Sequence, residues 1–274
     1  MSKISIPFIG SKFRYAKKLK NIFNTIQIDK TKNYNIYDVF GGSGACTIIF
    51  KDIFPNSSFT MNDYDKIITD DENNNIIDDS IKKTNIILNE LRTVKKEEIP
   101  NKNYKHLNTN EVNDILNKYP EVYENQMLRR FVSCNIMFNS RTITPKANDY
   151  FDHIRLTDYP LYYHHFNNVK IIHKDCNDML NKIIDSPDNI IILDPPYICF
   201  NMKTAYKSYE YWTLFKYLEI IKYIYQYPLS HFVFFESSEN NLTSLIDLIN
   251  SFAKPVKYQK ISLNNKEYVI LINF

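Results

Sequence analysis

The chain has 274 residues, 44% of them apolar and 15% aromatic, enough to bury the core of one large α/β domain or of a domain with a sizeable insertion. Its formal net charge of +3 selects no class of partner, and its four cysteines (Cys46, Cys134, Cys176 and Cys199) never stand at CxxC spacing, so zinc and thioredoxin-like sites have no support. No apolar run approaches membrane-spanning length and no signal peptide opens the chain, so a soluble, cytoplasmic protein is expected, with scattered thiols that suit a reducing compartment.

Residues 1–35 are basic, with Lys3, Lys12, Arg14, Lys17, Lys18, Lys20, Lys30 and Lys32 against Asp29 alone. Such an end can face phosphates or simply be a solvated helix face. Tyr15, Leu19, Ile22, Phe23 and Ile26 share one stripe and predict an amphipathic helix from Arg14 to Ile26. "NIYDVF" predicts a strand, "GGSG" a turn, and "ACTIIFKDIF" a helix; "SFTMND" predicts the next strand. From Ser80 to Asn139 the period becomes helical. Strands return at "VKIIH", "NIIILD" and "HFVFFE", and the last two flank a helix carrying Trp212, Phe215, Leu218 and Ile221. "VKYQKISL" and "EYVILINF", joined at Asn264-Asn265, predict a closing hairpin.

Strand–helix alternation at both ends predicts a doubly wound, mostly parallel Rossmann-like sheet, interrupted by an inserted small helical lobe over residues 70–150; residues 1–69 and 151–274 would form the main domain. "DVFGGSGACT" leaves a strand and opens a helix. Gly42 and Gly44 allow a tight turn and close approach of a ligand. Asp63 ends the following strand, where an acid accepts hydrogen bonds from ribose hydroxyls in sheets of this kind. No GxxxxGK[ST] occurs, so a cofactor with adenosine but no phosphates fits; a purely structural turn with a surface Asp is the other reading.

"DPPY" (Asp194 to Tyr197) closes an apolar strand, predicted to be central, at its carboxyl end, where open α/β folds bind ligands. Pro195 and Pro196 remove two N–H donors and leave the carbonyls of Asp194 and Pro195 as acceptors. Tyr197 adds a flat ring for stacking. Acceptors beside an aromatic face suit a planar group with an exocyclic amine. Accepting both N–H hydrogens favours a pyramidal nitrogen whose lone pair can attack a methyl group in line, by placement rather than covalent catalysis. The plainer reading, a strand stopped by a Pro-Pro turn, accounts for the prolines alone.

These segments, in this order, resemble the D12-class DNA adenine N6-methyltransferases of the Dam type, with α-group motif order. "PFIGSK" resembles the family's N-terminal element, with Phe8 where Trp is usual and Ser11 in place of a Gly; "DVFGGSG" resembles its S-adenosylmethionine loop, "MNDYDKII" its ribose segment, and "DPPY" its catalytic motif. The resemblance implies that Asp194, Pro195 and Tyr197 act on the base. It implies that Phe8, Lys12, Asp38, Phe40, Gly42, Gly44, Asp63, Asp175 and Asp194 hold the cofactor, with no metal. It implies double-stranded DNA as partner, with base flipping and contacts from Arg14, Asn139, Arg141, Lys146 and Tyr206. The family reads the major groove through a hairpin after an F-N-x-x-x-R-like stretch; "MFNSRTITPKANDYF" keeps Phe, Asn and Arg but is short and has no glycine, so no GATC-type target follows. Arg141 could reach a guanine edge or only a phosphate. A monomer or weak dimer, in a bacterial cell or phage-infected host, is expected. Methylation of cytosine N4 or of RNA, and a relative that binds DNA without catalysis, stay open; a nicotinamide dehydrogenase fits less of the pattern.

Overall fold

The computed structural model describes residues 11–64, 66, 68, 76–98, 105–137, 142–196, 213–237, 242–251 and 253–274. Residues 12–70 with 166–274 form one compact unit, and residues 1–11 with 71–165 another.

The first unit is a seven-stranded sheet with helices on both faces. Its strands are β1 (Asn35–Asp38), β2 (Ser58–Asn62), β5 (Val169–Ile172), β6 (Asn189–Leu193), β7 (His231–Ser237), β8 (Tyr258–Ser262) and β9 (Glu267–Ile272). They lie in the order β5-β2-β1-β6-β7-β9-β8. The first five run parallel, while β9 pairs antiparallel with both β7 and β8. Strand β6 is buried throughout, so it reads as one continuous apolar run, as expected where helices cover both faces. Its residues alternate: Ile190 and Ile192 enter one core, Ile191 and Leu193 the other. The first core is closed by α1 (Ala16–Thr25) and α2 (Ala45–Ile53), through Leu19, Phe23, Ile49 and Phe50. The second is closed by α7 (Cys176–Leu180), α8 (Leu214–Gln226) and α9 (Leu242–Asn250), through Leu180, Ile221 and Ile246. Phe215 and Leu218 lie on the exposed side of α8, whose buried face is Tyr217, Ile220, Ile221 and Ile224. Trp212 lies outside the described residues.

The second unit carries α3 (Ile76–Leu91), α4 (Thr109–Asn117), α5 (Glu121–Glu124) and α6 (Gln126–Ile136). Asn108 caps α4 by accepting from the Glu111 amide, and Asn125 caps α6 by accepting from Met127 and Leu128. It is not purely helical: β3 (Lys96–Glu98) and β4 (Lys105–Leu107) form a small antiparallel ribbon. The unit also runs on past residue 150 to His165. The polar groups of two buried or half-buried side chains hold that stretch: Asn135 accepts from the Arg155 amide at 3.0 Å, and Asn85 accepts from the Tyr159 amide at 2.8 Å. Among the described residues, no helix is long and apolar enough to cross a membrane.

Candidate active site

Sequence order reverses between β1 and β6. From β1 the chain winds outward to β2, and from β6 it winds the other way to β7. At such a switch point the connecting loops diverge and leave a crevice at the carboxyl ends of the strands. Asp38 ends β1, and the register that pairs Asp38 with Ile192 brings Asp194 to the same edge. The Val39 amide donates to the Ile192 carbonyl at 3.1 Å, so the glycine turn and the DPP segment start from a shared hydrogen bond.

The glycine turn is tightly determined. Gly42 and Gly44 have φ of 48° and 72°. A side chain at Gly44 would be strained, and its Cβ would stand 2.3 Å from Phe166 Cζ. The Gly41 amide donates to Asn62 O at 2.9 Å, which ties the turn to the end of β2. Asp38 fastens its other end: Oδ2 accepts from the Thr47 amide at 3.0 Å and the Thr47 hydroxyl at 2.7 Å, in the first turn of α2. Burial raises the Asp38 carboxyl to about 6; the Thr47 bonds pull it down, and the Asp194 charge pushes it up.

Asp194 forms an ion pair with Lys12, whose Nζ lies 2.7 Å from Oδ2. Lys12 sits in a 3-10 turn (Lys12–Tyr15) and is only 2% exposed. Its ammonium also faces the Phe235 ring, 5.3 Å from the centroid. Burial pushes the Asp194 carboxyl above its ordinary value, the adjacent Lys12 pulls it back, and the Glu267 charge adds a smaller upward push.

A family model for D12 class N6 adenine-specific DNA methyltransferases matches residues 8–243. The chain belongs to this family. A Haemophilus influenzae protein named "Putative methyltransferase" is 26% identical over 220 residues, covering 79% of this chain and 71% of that protein. Among solved structures, the N-terminal domain of human METTL16 in complex with SAH aligns at TM-score 0.42 and 9% identity, over 99% of this chain and 73% of that one. A precorrin-6y C5,15-methyltransferase from Geobacter metallireducens aligns at TM-score 0.39 and 10% identity, over 99% and 91%.

In this D12-class methyltransferase the remaining expected site residues fall in several places. Asp63 follows β2 and is buried; its Oδ2 accepts from the Ile68 amide at 2.5 Å, and its carbonyl meets His173 Nδ1 at 2.7 Å. Phe40 is half-buried at the start of the glycine turn. Asp175 is exposed and caps α7, accepting from the Asn177 amide at 2.8 Å. Pro195 is buried beside Asp194. Arg14 pairs with Glu267 at 2.8 Å while most of its side chain stays exposed. Lys146 is exposed in a turn of the 71–165 unit. Phe8, Asn139, Arg141, Tyr197 and Tyr206 lie outside the described residues.

Four residues around the Lys12–Asp194 pair were not singled out from the sequence: Thr47, Cys46, Phe235 and Glu267. Cys46 is buried, and burial, with the charges of Asp38 and Asp194, holds its thiol well above the ordinary value. Only the period of α2 and β7 could have marked Cys46 and Phe235, and it marks them as core.

Proposed function

We propose that this D12-class protein transfers a methyl group from S-adenosylmethionine to the N6 amine of an adenine flipped out of double-stranded DNA. The observation that carries the reading is the junction of a half-buried carboxylate, paired with a buried lysine, with a glycine turn at one switch point of the sheet. A structural Pro-Pro turn has no need of a lysine buried against its aspartate.

The donor set fits a nucleoside cofactor without phosphates. The turn offers backbone and two positive-φ glycines, no lysine-bearing phosphate loop is present, and a carboxylate stands at the end of β2. Asp63 would take ribose hydroxyls, with Asp38, Phe40, Gly42 and Gly44 along the turn. When bound, the cofactor supplies an electrophilic methyl group on a sulfonium.

The chain's own part is to prepare the amine. Lys12 occupies Asp194 Oδ2, so Oδ1 and the Pro195 carbonyl are the acceptors for the two N6 hydrogens. The ion pair draws the Asp194 carboxyl back down against its burial and so favours the ionised form, which accepts the stronger hydrogen bond. Drawing on both N–H bonds localises the nitrogen lone pair, and the same carboxylate can take the proton released as the nitrogen is alkylated. Tyr197 would stack on the extruded ring.

The test is transfer of a labelled methyl group to duplex DNA, followed by identification of the modified base. N6-methyladenine formed by the native protein, with a loss of at least about 100-fold in Asp194→Ala, is the expected result. Label on cytosine or RNA alone would reassign the substrate; equal labelling by both proteins would remove Asp194 from the mechanism.

A further inference from the structure

The buried lysine of the site is held from the far end of the chain. Lys12 lies in the turn that ends at Tyr15, and that turn is gripped by the β8–β9 hairpin. Three contacts make the grip. Arg14 Nη2 donates to Glu267 Oε1 at 2.8 Å. The Asn264 side-chain amide donates to the Tyr15 hydroxyl. Lys18 Nζ donates to the Leu263 carbonyl at 3.1 Å. The hairpin is itself braced, because Asn264 Oδ1 accepts from the Lys266 and Glu267 amides at 2.6 and 2.7 Å, and the Leu263 amide donates to the Glu267 carbonyl at 2.8 Å.

Glu267 is the centre of this arrangement. It is 7% exposed, at the first position of β9. Tyr15 is also buried, and its hydroxyl is pushed up to about 12 by burial, by its hydrogen bond to Glu267 and by the Glu267 charge. A buried carboxylate is costly unless it does something for its partners. Both partners here, Arg14 and Tyr15, belong to the lysine turn. The family match ends at residue 243, so this residue lies beyond the matched stretch.

We propose that Glu267 is a positioning residue: through Arg14 and Tyr15 it fixes the 3-10 turn that presents the Lys12 ammonium to Asp194. The kinetic readout of this inference rests on the methyl-transfer reading above; the ionisation of Asp194 does not.

Two roles for Glu267 move Asp194 in opposite directions. As a nearby negative charge alone, Glu267 raises the carboxyl, so its neutralisation would lower it. As the anchor of the lysine turn, its loss withdraws the cation that holds Asp194 down, and the carboxyl rises. The other charged groups that face Asp194 are Lys12 from the turn and Asp38 from β1; in a Glu267 variant Asp38 keeps its place, so an upward move of the Asp194 carboxyl reports withdrawal of Lys12.

The experiment follows the Asp194 carboxyl by carbon-13 NMR titration in the full-length protein and in Glu267→Gln, alongside pH profiles of methyl transfer. Glu267→Gln is expected to move the Asp194 titration and the acid limb of kcat/KM upward by about one pH unit, and to lower kcat about tenfold while cofactor KM stays within about twofold. A titration that moves down, or does not move, overturns the proposal. If Glu267→Gln does not fold, Tyr15→Phe, which removes the phenol that meets the Asn264 amide and the Glu267 charge, carries the same expected direction with a smaller size. If the native protein methylates no DNA, the functional reading fails while the carboxyl titration still decides the positioning role.

Discussion

Asp38 and Asp194 stand on neighbouring strands with little water, and each is managed differently. Asp194 has a cation; Asp38 has neutral donors, Thr47 and the Phe40 backbone, and is raised by burial to about 6. A carboxyl raised from 3.8 to about 6 binds its proton more tightly in the folded chain. Its contribution therefore favours folding as pH falls: the gain begins near pH 6, is complete below the unfolded value, and is absent at neutral pH. Denaturant titrations of the native protein and Asp38→Asn should show the native protein gaining roughly 2 kcal/mol on the variant between pH 7 and pH 4. A constant difference across that range would contradict the assignment. Lys12→Met tests the other carboxyl. It removes the cation that pairs with Asp194, which should cost about 3 kcal/mol at pH 7 and less at low pH, where Asp194 is protonated in both proteins. Methyl transfer by that variant should fall at least tenfold at neutral pH and recover partly at higher pH, where Asp194 ionises again.

At the scale of single elements, the glycine turn is the most constrained connection in the sheet. Gly44→Ala meets both a positive φ and the Phe166 ring, and should destabilise the protein by about 2–4 kcal/mol in chemical unfolding. Much of this level was legible beforehand, for physical reasons. Buried on both faces, β6 leaves an unbroken apolar run; a strand between Pro187 and Pro195-Pro196 has few alternatives. What escaped notice had no period to show. Helix α7 is five residues long, and β3 and β4 are three each, with every residue of β3 exposed. On α8 the helix was legible but its inner face was not, because tyrosines at 217 and 223 share the burial with isoleucines while Phe215 and Leu218 face out. Within the site, Asp38, Asp63 and Asp194 could be placed because strand ends are fixed by the fold. The partner of Asp194 could not be deduced from residue type and spacing, since a lysine in a basic stretch looks like any solvated one. Glu267 was equally silent: a glutamate opening a terminal strand carries no mark of burial.

At the scale of the molecule, two units are built from interleaved segments, and each has its own interior. In the unit of residues 71–165, Asn135 is a heavily used buried polar group. Its amide donates to the Phe131 carbonyl and the Tyr159 hydroxyl, and its carbonyl accepts from Arg155. Removing it takes the acceptor from the Arg155 amide and leaves the Tyr159 hydroxyl only its Cys134 Sγ contact at 3.4 Å, a loss of roughly 2–3 kcal/mol. Asn135→Ala should speed hydrogen exchange at Arg155 and along α6 while leaving β6 and β7 protected; uniform deprotection would mean that the two units open together.

Strand β5 reaches its neighbour β2 only after the chain has passed through that whole unit. Closing so long an excursion carries an entropy penalty that rises with the logarithm of its length. Early collapse of residues 71–165 would shorten the free tether and leave the sheet edge as the final piece to zip. Pulse-labelling during refolding should therefore find the amides of β5 among the last to become protected, and the assembly clock of the sheet would be set by residues that belong to neither of its faces.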